Sequence, residues 1–576
     1  MSNSKKTSEV HQVKFLGRRE FMACLSGMGL SSAVLSEALW AKVENSQDKK
    51  LTKEMLAEAE RFIGLEFTDE ERELMIDGLN GRLKQYEQMR EISLDNSVAP
   101  AVQFNPIISG FQSRGKQKKI KISKPARKQL TSDLEDVAFW TVTDLAGLIK
   151  SRKVSSVQLT KMYLERLKRY DEKLKCVISL TEELALEQAR SADKDIAAGH
   201  YRGPLHGIPW GAKDLLAVKG YKTTWGAMPF KEQVLDYDAA VVKRLEKAGA
   251  VLIAKLTLGA LAMEDVWFGG KTRNPWNPEK GSSGSSAGPA SATSAGLVGF
   301  SIGSETLGSI VSPCTVCGVT GLRPTFGRVS RDGAMALSWS MDKLGPICRS
   351  VEDCALVFHA IHGPDGLDPT VREDAPFNWD PAQSIKKLKI GYLKRDFEKD
   401  RKDEKWRAND LATLDKLRSM GMDLRAVELP DLPIGAIRLV LVVEAAAAFD
   451  ELTRSNRDSL LVSQGKGSWP NIFRTARMVT AVEYIQANRL RTLLIKEMNK
   501  LMSDIDVYVA PSWVGNNLAL TNLSGHPTVV VPNGFNDKNE PTSITFTGKL
   551  FGDTETLLVA KAYQDASGIH TKHPAL

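Results

Sequence analysis

Two stretches of small residues have the composition to hold chemistry. Residues 281–296 (GSSGSSAGPASATSAG) carry no charge and at first read as a flexible linker. They sit mid-domain, however, and run straight into the apolar segment 297–303 (LVGFSIG), so they are expected to be packed inside. A second small-residue turn follows at Ser304-Glu305-Thr306-Leu307-Gly308-Ser309-Ile310. Residues without bulk let backbone segments approach closely, which can gather several main-chain N–H groups around one oxygen. A serine hydroxyl in such a place becomes a nucleophile once a base takes its proton. Lysine can be that base when apolar surroundings disfavour its charged form. Lys213, which ends the apolar approach 208–212, is one such lysine. Taken singly, each residue also has a plain structural reading: Lys213 as a solvated side chain and Ser309 as a helix N-cap.

Other reactive residue types are less suggestive. Cys314 and Cys317 form a CxxC, but no second pair or histidine at ligand spacing follows, so they read as two small half-buried residues rather than a zinc site. Six cysteines in 576 residues are too few for a disulfide framework. His206 and His526 lie beside Gly and Pro in turns and read as packed or hydrogen-bonded. Trp225, Met228, Trp267, Phe268 and Trp339 read as core rather than pocket.

The elements that must position these residues show in the apolar pattern. Beyond Phe139, residues 177–180 read as a strand, and short continuous apolar runs at 250–254, 388–393, 507–510, 528–531 and 543–547 read as strands buried on both faces, with helical stretches between them. That alternation predicts a layered α/β domain. Thr143 and a Ser155–Gln158 capping box mark two helices ahead of the first strand. Upstream, residues 51–91 are rich in Glu, Leu, Met, Arg and Lys, with a Thr68–Glu71 capping box and Leu74, Met75, Leu79 and Leu83 at helical spacing. These predict a small helical module over 51–96.

The formal charge of +8 is concentrated in one run: Arg114, Lys116, Lys118, Lys119, Lys121, Lys124, Arg127 and Lys128, with no acidic residue from 111 to 130. No aromatics interleave with it and no nucleic-acid motif accompanies it, so it reads as part of a solvated basic linker over 97–136. At the start, Arg18-Arg19-Glu20-Phe21 is followed by a weakly apolar stretch at 23–35, too short to span a bilayer. Order and position resemble a twin-arginine export signal over 1–41, and Cys24 is misplaced for a lipoprotein site. The expected location is periplasmic or secreted, otherwise cytoplasmic, with no stable membrane insertion.

The two small-residue turns resemble those of the amidase signature family. Thr272-Arg273-Asn274-Pro275 precedes the first turn as it does in that family, which puts Ser285 on the family's bridging serine. Ser309, 24 positions later, falls on its nucleophile. The segment Gly203-Pro204-Leu205-His206-Gly207-Ile208-Pro209-Trp210-Gly211-Ala212-Lys213-Asp214 matches the one carrying the family's lysine. Residues 318–330 (GVTGLRPTFGRVS) and 521–527 (TNLSGHP) match as well, and the resemblance covers about residues 139–567. It implies an α/β amidase signature fold, a layered α/β/α domain with a central mixed β-sheet, over 137–576. It further implies a Ser-Ser-Lys triad of Ser309, Ser285 and Lys213, a cis peptide at Gly284-Ser285, and an oxyanion site built from the backbone N–H groups of Thr306, Leu307, Gly308 and Ser309. No cofactor and no metal are implied.

Some positions depart from the family pattern: Ser283 and Ala287 for Gly, Leu307 for the first Gly of the nucleophile turn, Glu305 for Asp, and Val311 for Arg. A backbone donor survives at Leu307 only if its φ is negative. The reading is an exported serine amidase acting on a small-molecule or peptide amide, with no nucleic-acid partner and its oligomeric state open. The alternatives are a non-catalytic amide-binding protein and the glutaminase-type component of an amidotransferase.

Overall fold

A computed structural model describes residues 51–576, apart from 93, 99, 101, 108–114 and 127. The signal-like segment 1–41 with Cys24, and Arg114 and Arg127 of the basic run, lie outside the described residues. The chain divides into two compact units at Leu94/Asp95, two residues short of the expected module boundary.

The first unit holds two helices, Lys53–Ile63 and Asp69–Arg90. Thr52 caps the first, and Gly64 ends it in the left-handed conformation at φ 69°. The expected box at the second helix is present: the Thr68 N–H donates to Glu71 Oε2 at 2.7 Å and the Glu71 N–H to Thr68 Oγ1 at 3.3 Å. Arg72 joins the two helices through Glu60, at 2.7 Å. Of the expected stripe, Leu74 faces solvent at 83% exposure; Met75, Leu79 and Leu83 are half-buried.

The second unit is built on an eleven-stranded sheet. In chain order its strands are β1 (Val177–Leu180), β2 (Pro209–Lys213), β3 (Val251–Leu256), β4 (Phe300–Glu305), β5 (Thr320–Arg323), β6 (Lys343–Cys348), β7 (Ile390–Leu393), β8 (Leu424–Val427), β9 (Val507–Pro511), β10 (Thr528–Phe535) and β11 (Pro541–Gly548). They lie in the order β1-β3-β2-β4-β6-β5-β10-β11-β9-β7-β8. Pairing is parallel at β3-β2-β4 and at β9-β7-β8, and antiparallel elsewhere. Every residue of β2, β3, β4, β6, β9 and β11 is buried. A strand buried on both its faces needs a layer of helices on each side, which makes this the layered α/β/α arrangement expected.

All six expected strands are present, β1 at the expected bounds. The Ser155–Gln158 box caps the helix Ser156–Leu174, whereas the helix Val142–Lys150 is capped by Thr141, with Thr143 inside its first turn. The basic segment makes specific contacts with the α/β unit. Gln117 donates to the Phe377 carbonyl at 2.7 Å, the Lys121 N–H to the Trp379 carbonyl at 2.9 Å, and Lys128 pairs with Asp144 at 2.6 Å.

Candidate active site

The parallel pairing of β2 with β4 sets Ala212 opposite Ile302, so the ends of the two strands bring Lys213 beside Ser304. Lys213 has no exposed surface. Its Nζ lies 2.7 Å from Ser285 Oγ, 3.0 Å from Ser286 Oγ and 2.9 Å from Ser304 Oγ. The Ser286 hydroxyl donates to the Ser304 carbonyl at 3.1 Å, so toward Lys213 it can only accept. A neutral amine has two N–H donors and one lone pair. It can donate to Ser286 and Ser304 and still accept the Ser285 proton. Burial pushes the Lys213 pKa well below the ordinary lysine value, against a smaller opposing pull from Asp342 and Glu305.

The peptide Gly284-Ser285 is cis, as the resemblance implied. A Cβ on Gly284 would fall 1.7 Å from the Glu264 carbonyl oxygen, so only glycine fits there. The Ser286 N–H donates to the Ser309 carbonyl at 3.1 Å, sewing the two turns together. The hydroxyls of Ser285 and Ser309 make no hydrogen bond with each other among the described residues. Nor is Ser309 a helix cap: Ile310 occupies that position ahead of the helix Val311–Cys317, with no side-chain cap bond.

Among the described residues, no protein acceptor takes the N–H of Thr306, Leu307, Gly308 or Ser309. These four consecutive N–H groups are therefore left without a protein acceptor in the turn that carries Ser309. Leu307 is absent from the positive-φ residues, so it keeps its donor without strain; Gly308 takes the left-handed turn, at φ 96°.

Glu305 fixes this turn. Its Oε2 accepts the N–H groups of Ile310 and Val311 at 2.8 and 2.9 Å, and its Oε1 accepts from Arg323 at 2.8 Å and Asn522 at 2.7 Å. Burial raises the Glu305 pKa, but Arg323 and the N–H donors outweigh it and leave the carboxyl below its usual value. The adjoining Thr306 hydroxyl donates to Asp342 at 2.5 Å.

Ser309 lines a cavity of about 480 Å³. Leu307, Leu337, Leu441, Val442, Trp469 and Ile472 supply its apolar wall, and Glu264, Asp265, Ser283, Ser312 and Arg438 its polar groups. A smaller cavity of about 110 Å³ includes Ser304, Thr306 and Asp342 in its lining.

Thus Lys213 is bonded to the Ser285 hydroxyl, and the turn that carries Ser285 is tied to Ser309 through its backbone carbonyl rather than its hydroxyl. Sequence reasoning missed Ser286 and Ser304 as lysine partners, the Glu305–Arg323–Asn522 brace, and the wall residues after 430. Only Ser286, next to Ser285 in the same turn, left a local signal. Of the aromatic and Met group expected in the core, Trp225 is buried, but Met228 is 40% exposed and Trp339 lines the smaller cavity. Cys314 and Cys317 are fully buried rather than half-buried. His206 and His526 are packed and hydrogen-bonded, His526 to Ser524 at 2.9 Å.

The chain is similar to several known proteins. Residues 158–517 match the profile of the Amidase family. The A-type subunit of the glutamyl-tRNA(Gln) amidotransferase of Dehalococcoides mccartyi is 33% identical over 492 residues, covering 77% of this chain and 100% of that protein. Its counterpart in Methylococcus capsulatus is 32% identical over 480 residues, covering 76% and 98%. The peptide amidase of Stenotrophomonas maltophilia shares the fold at a TM-score of 0.66 and 29% identity, covering 75% of this chain and 98% of that one.

Proposed function

Because the chain belongs to the amidase signature family and is a hydrolase of amide C–N bonds, we propose that it works through an acyl-enzyme on Ser309, with Ser285 as proton bridge and Lys213 as base. Ser309 Oγ attacks the amide carbon while its proton passes to Ser285 and the Ser285 proton passes to neutral Lys213. The oxyanion is held by the N–H groups of Thr306, Leu307, Gly308 and Ser309, donors of a kind worth about 3 kcal/mol each when removed singly. Collapse breaks the C–N bond as the proton returns from Lys213 through Ser285 to the leaving nitrogen. Water then attacks the ester, gives its proton to the same relay, and frees the carboxylic acid and Ser309.

The observation that carries this reading is the buried Lys213 at 2.7 Å from Ser285, in a turn bonded to the Ser309 backbone. A fluorophosphonate probe followed by intact mass tests it. One adduct should form on the wild type and none on Ser309→Ala, and labelling that persists in the variant rejects Ser309 as the nucleophile.

The substrate class supported is a small-molecule or peptide amide, the latter in keeping with the peptide amidase likeness. Export through a twin-arginine route is part of the proposal, supported by Arg18-Arg19-Glu20-Phe21 and the short apolar stretch behind it. Among the described residues no helix is long and apolar enough to cross a membrane. Fractionation of wild type and an Arg18→Lys/Arg19→Lys variant tests the route; equal distribution of the two rejects it. A second reading, the glutaminase-type component of an amidotransferase, is favoured by the glutamyl-tRNA(Gln) amidotransferase relatives. Hydrolysis of simple amides by the purified chain alone, with no gain from added partners, would decide against it.

A further inference from the structure

Resting on that hydrolase reading, we infer that Arg438 selects amides whose far end carries a carboxylate. Among the described residues, Arg438 is the one Lys or Arg that lines the Ser309 cavity. It is exposed, and among the described residues it forms no ion pair and no side-chain hydrogen bond. A guanidinium offers five donors in a planar fork that matches a carboxylate bidentately, and here that fork has no protein acceptor.

Its place on the wall defines the rest of the ligand. Leu307 packs against the apolar cluster that contains Ile437 and Leu441, which lie either side of Arg438 in sequence. Leu307, Leu441 and Val442 therefore form an apolar band leading from the nucleophile turn to the Arg438 side of the cavity. A chain of methylene groups acylating Ser309 would be desolvated along this band and would end where the unpaired cation is.

The acidic groups of the cavity lie on another segment. The Asp265 carboxylate already accepts the Ser283 N–H at 3.0 Å. Glu264, exposed and without an ion pair among the described residues, has its backbone against Gly284. Among the described residues, Arg438 and Glu264 do not pair with each other. A carboxylate-ended substrate would be attracted to the Arg438 wall and repelled from the Glu264 wall, which fixes its direction in the cavity. The ligand class is thus an amide with an apolar chain next to the scissile carbonyl and an anionic end.

The test uses three p-nitroanilides of nearly equal length: glutaryl, pentanoyl and 5-aminopentanoyl. Release of p-nitroaniline is followed in wild type, Arg438→Gln and Arg438→Glu, and the readout is the ratio of kcat/KM values within each protein. Wild type should prefer glutaryl over pentanoyl by about fivefold at low salt, the worth of about 1 kcal/mol for a solvent-accessible ion pair. The preference should shrink as salt rises. It should vanish in Arg438→Gln and turn toward the aminopentanoyl compound in Arg438→Glu. A wild-type ratio retained in Arg438→Gln overturns the inference, as does a wild-type preference for the neutral or cationic compound. A measurement independent of turnover is protection of Ser309 from the fluorophosphonate. Glutaramate should protect wild type better than pentanamide, and equally well in Arg438→Gln. Equal protection of wild type by the two amides also overturns the inference. Loss of labelling and turnover altogether would instead count against the hydrolase mechanism itself.

Discussion

Lys213 Nζ lies 2.7 Å from the Ser285 hydroxyl at a point where neither residue is exposed to solvent. That bond makes the roles of the two serines separable. Ser309→Ala removes the covalent route and should abolish turnover while leaving the melting temperature within a degree or two. Ser285→Ala removes only the proton bridge, whose contribution is about 10²–10⁴ in rate, so weak turnover should remain. Steady-state rates on one chromogenic amide, with thermal melts, check both. Wild-type turnover in Ser309→Ala would refute the mechanism.

The Glu305 brace predicts a stability effect. Glu305→Ala leaves the fully buried Arg323 without its anion and two turn N–H groups without their acceptor. Breaking a buried pair from one side costs about 3–5 kcal/mol. Glu305→Gln keeps an acceptor oxygen and should lose less. Because the folded carboxyl titrates below its unfolded value, its contribution is present above about pH 4.3 and is lost as pH falls toward the folded value. Urea midpoints of the two variants against wild type, at neutral and acid pH, test this. A cost independent of pH would mean that packing, not charge, holds the turn.

Leu307→Gly separates two roles of one residue. The backbone donor survives the change, while the side chain leaves the apolar wall of the cavity. Turnover of amides with a bulky acyl group should rise relative to short ones, at a stability cost of a few kcal/mol for the lost packing and added chain entropy. An unchanged ratio of bulky to short substrates would show that Leu307 does not bound the acyl pocket.

How much of this was legible in sequence follows from what each strand is made of. β9, β10 and β11 are rich in Val, Ile and Thr, and their apolar runs announce them. β2 (Pro-Trp-Gly-Ala-Lys) and β4 (Phe-Ser-Ile-Gly-Ser-Glu) carry the site, and neither reads as a strand. Their small residues leave room for neighbouring side chains: a Cβ on Gly211 would fall 2.3 Å from the Leu256 side chain, and one on Gly303 would fall 2.8 Å from Ser286 Oγ. The requirement that builds the site therefore erases the propensity signal for the strands that hold it. Lys213, Ser285 and Ser309 were nameable as candidates because motif spacing survives this. Ser304, Asn522 and Arg438 were not, since register and long-range packing bring them in and neither is written locally.

The last prediction concerns Lys213 and pH. Burial disfavours its ammonium, so the folded pKa lies well below the ordinary lysine value. Between the folded value and the unfolded value of about 10.4, the unfolded chain binds the extra proton, and stability rises with pH through that window. Below the folded value the penalty is fully present; above the unfolded value it is absent. Activity should rise through the same folded pKa, because only the neutral amine can take the Ser285 proton. In Lys213→Met the charge penalty is gone, but Ser285, Ser286 and Ser304 each lose a partner, a pH-independent cost of about 1 kcal/mol each. The informative quantity is thus the difference between wild type and Lys213→Met, not the stability of either. That difference should move in favour of wild type as pH increases from 7 toward 10, while the variant stays nearly inactive throughout. Paired melts and rate profiles over this range decide the matter. A constant difference in stability would mean that Lys213 does not change protonation on folding there. A variant that keeps the wild-type rate and its pH dependence would assign the base to another group.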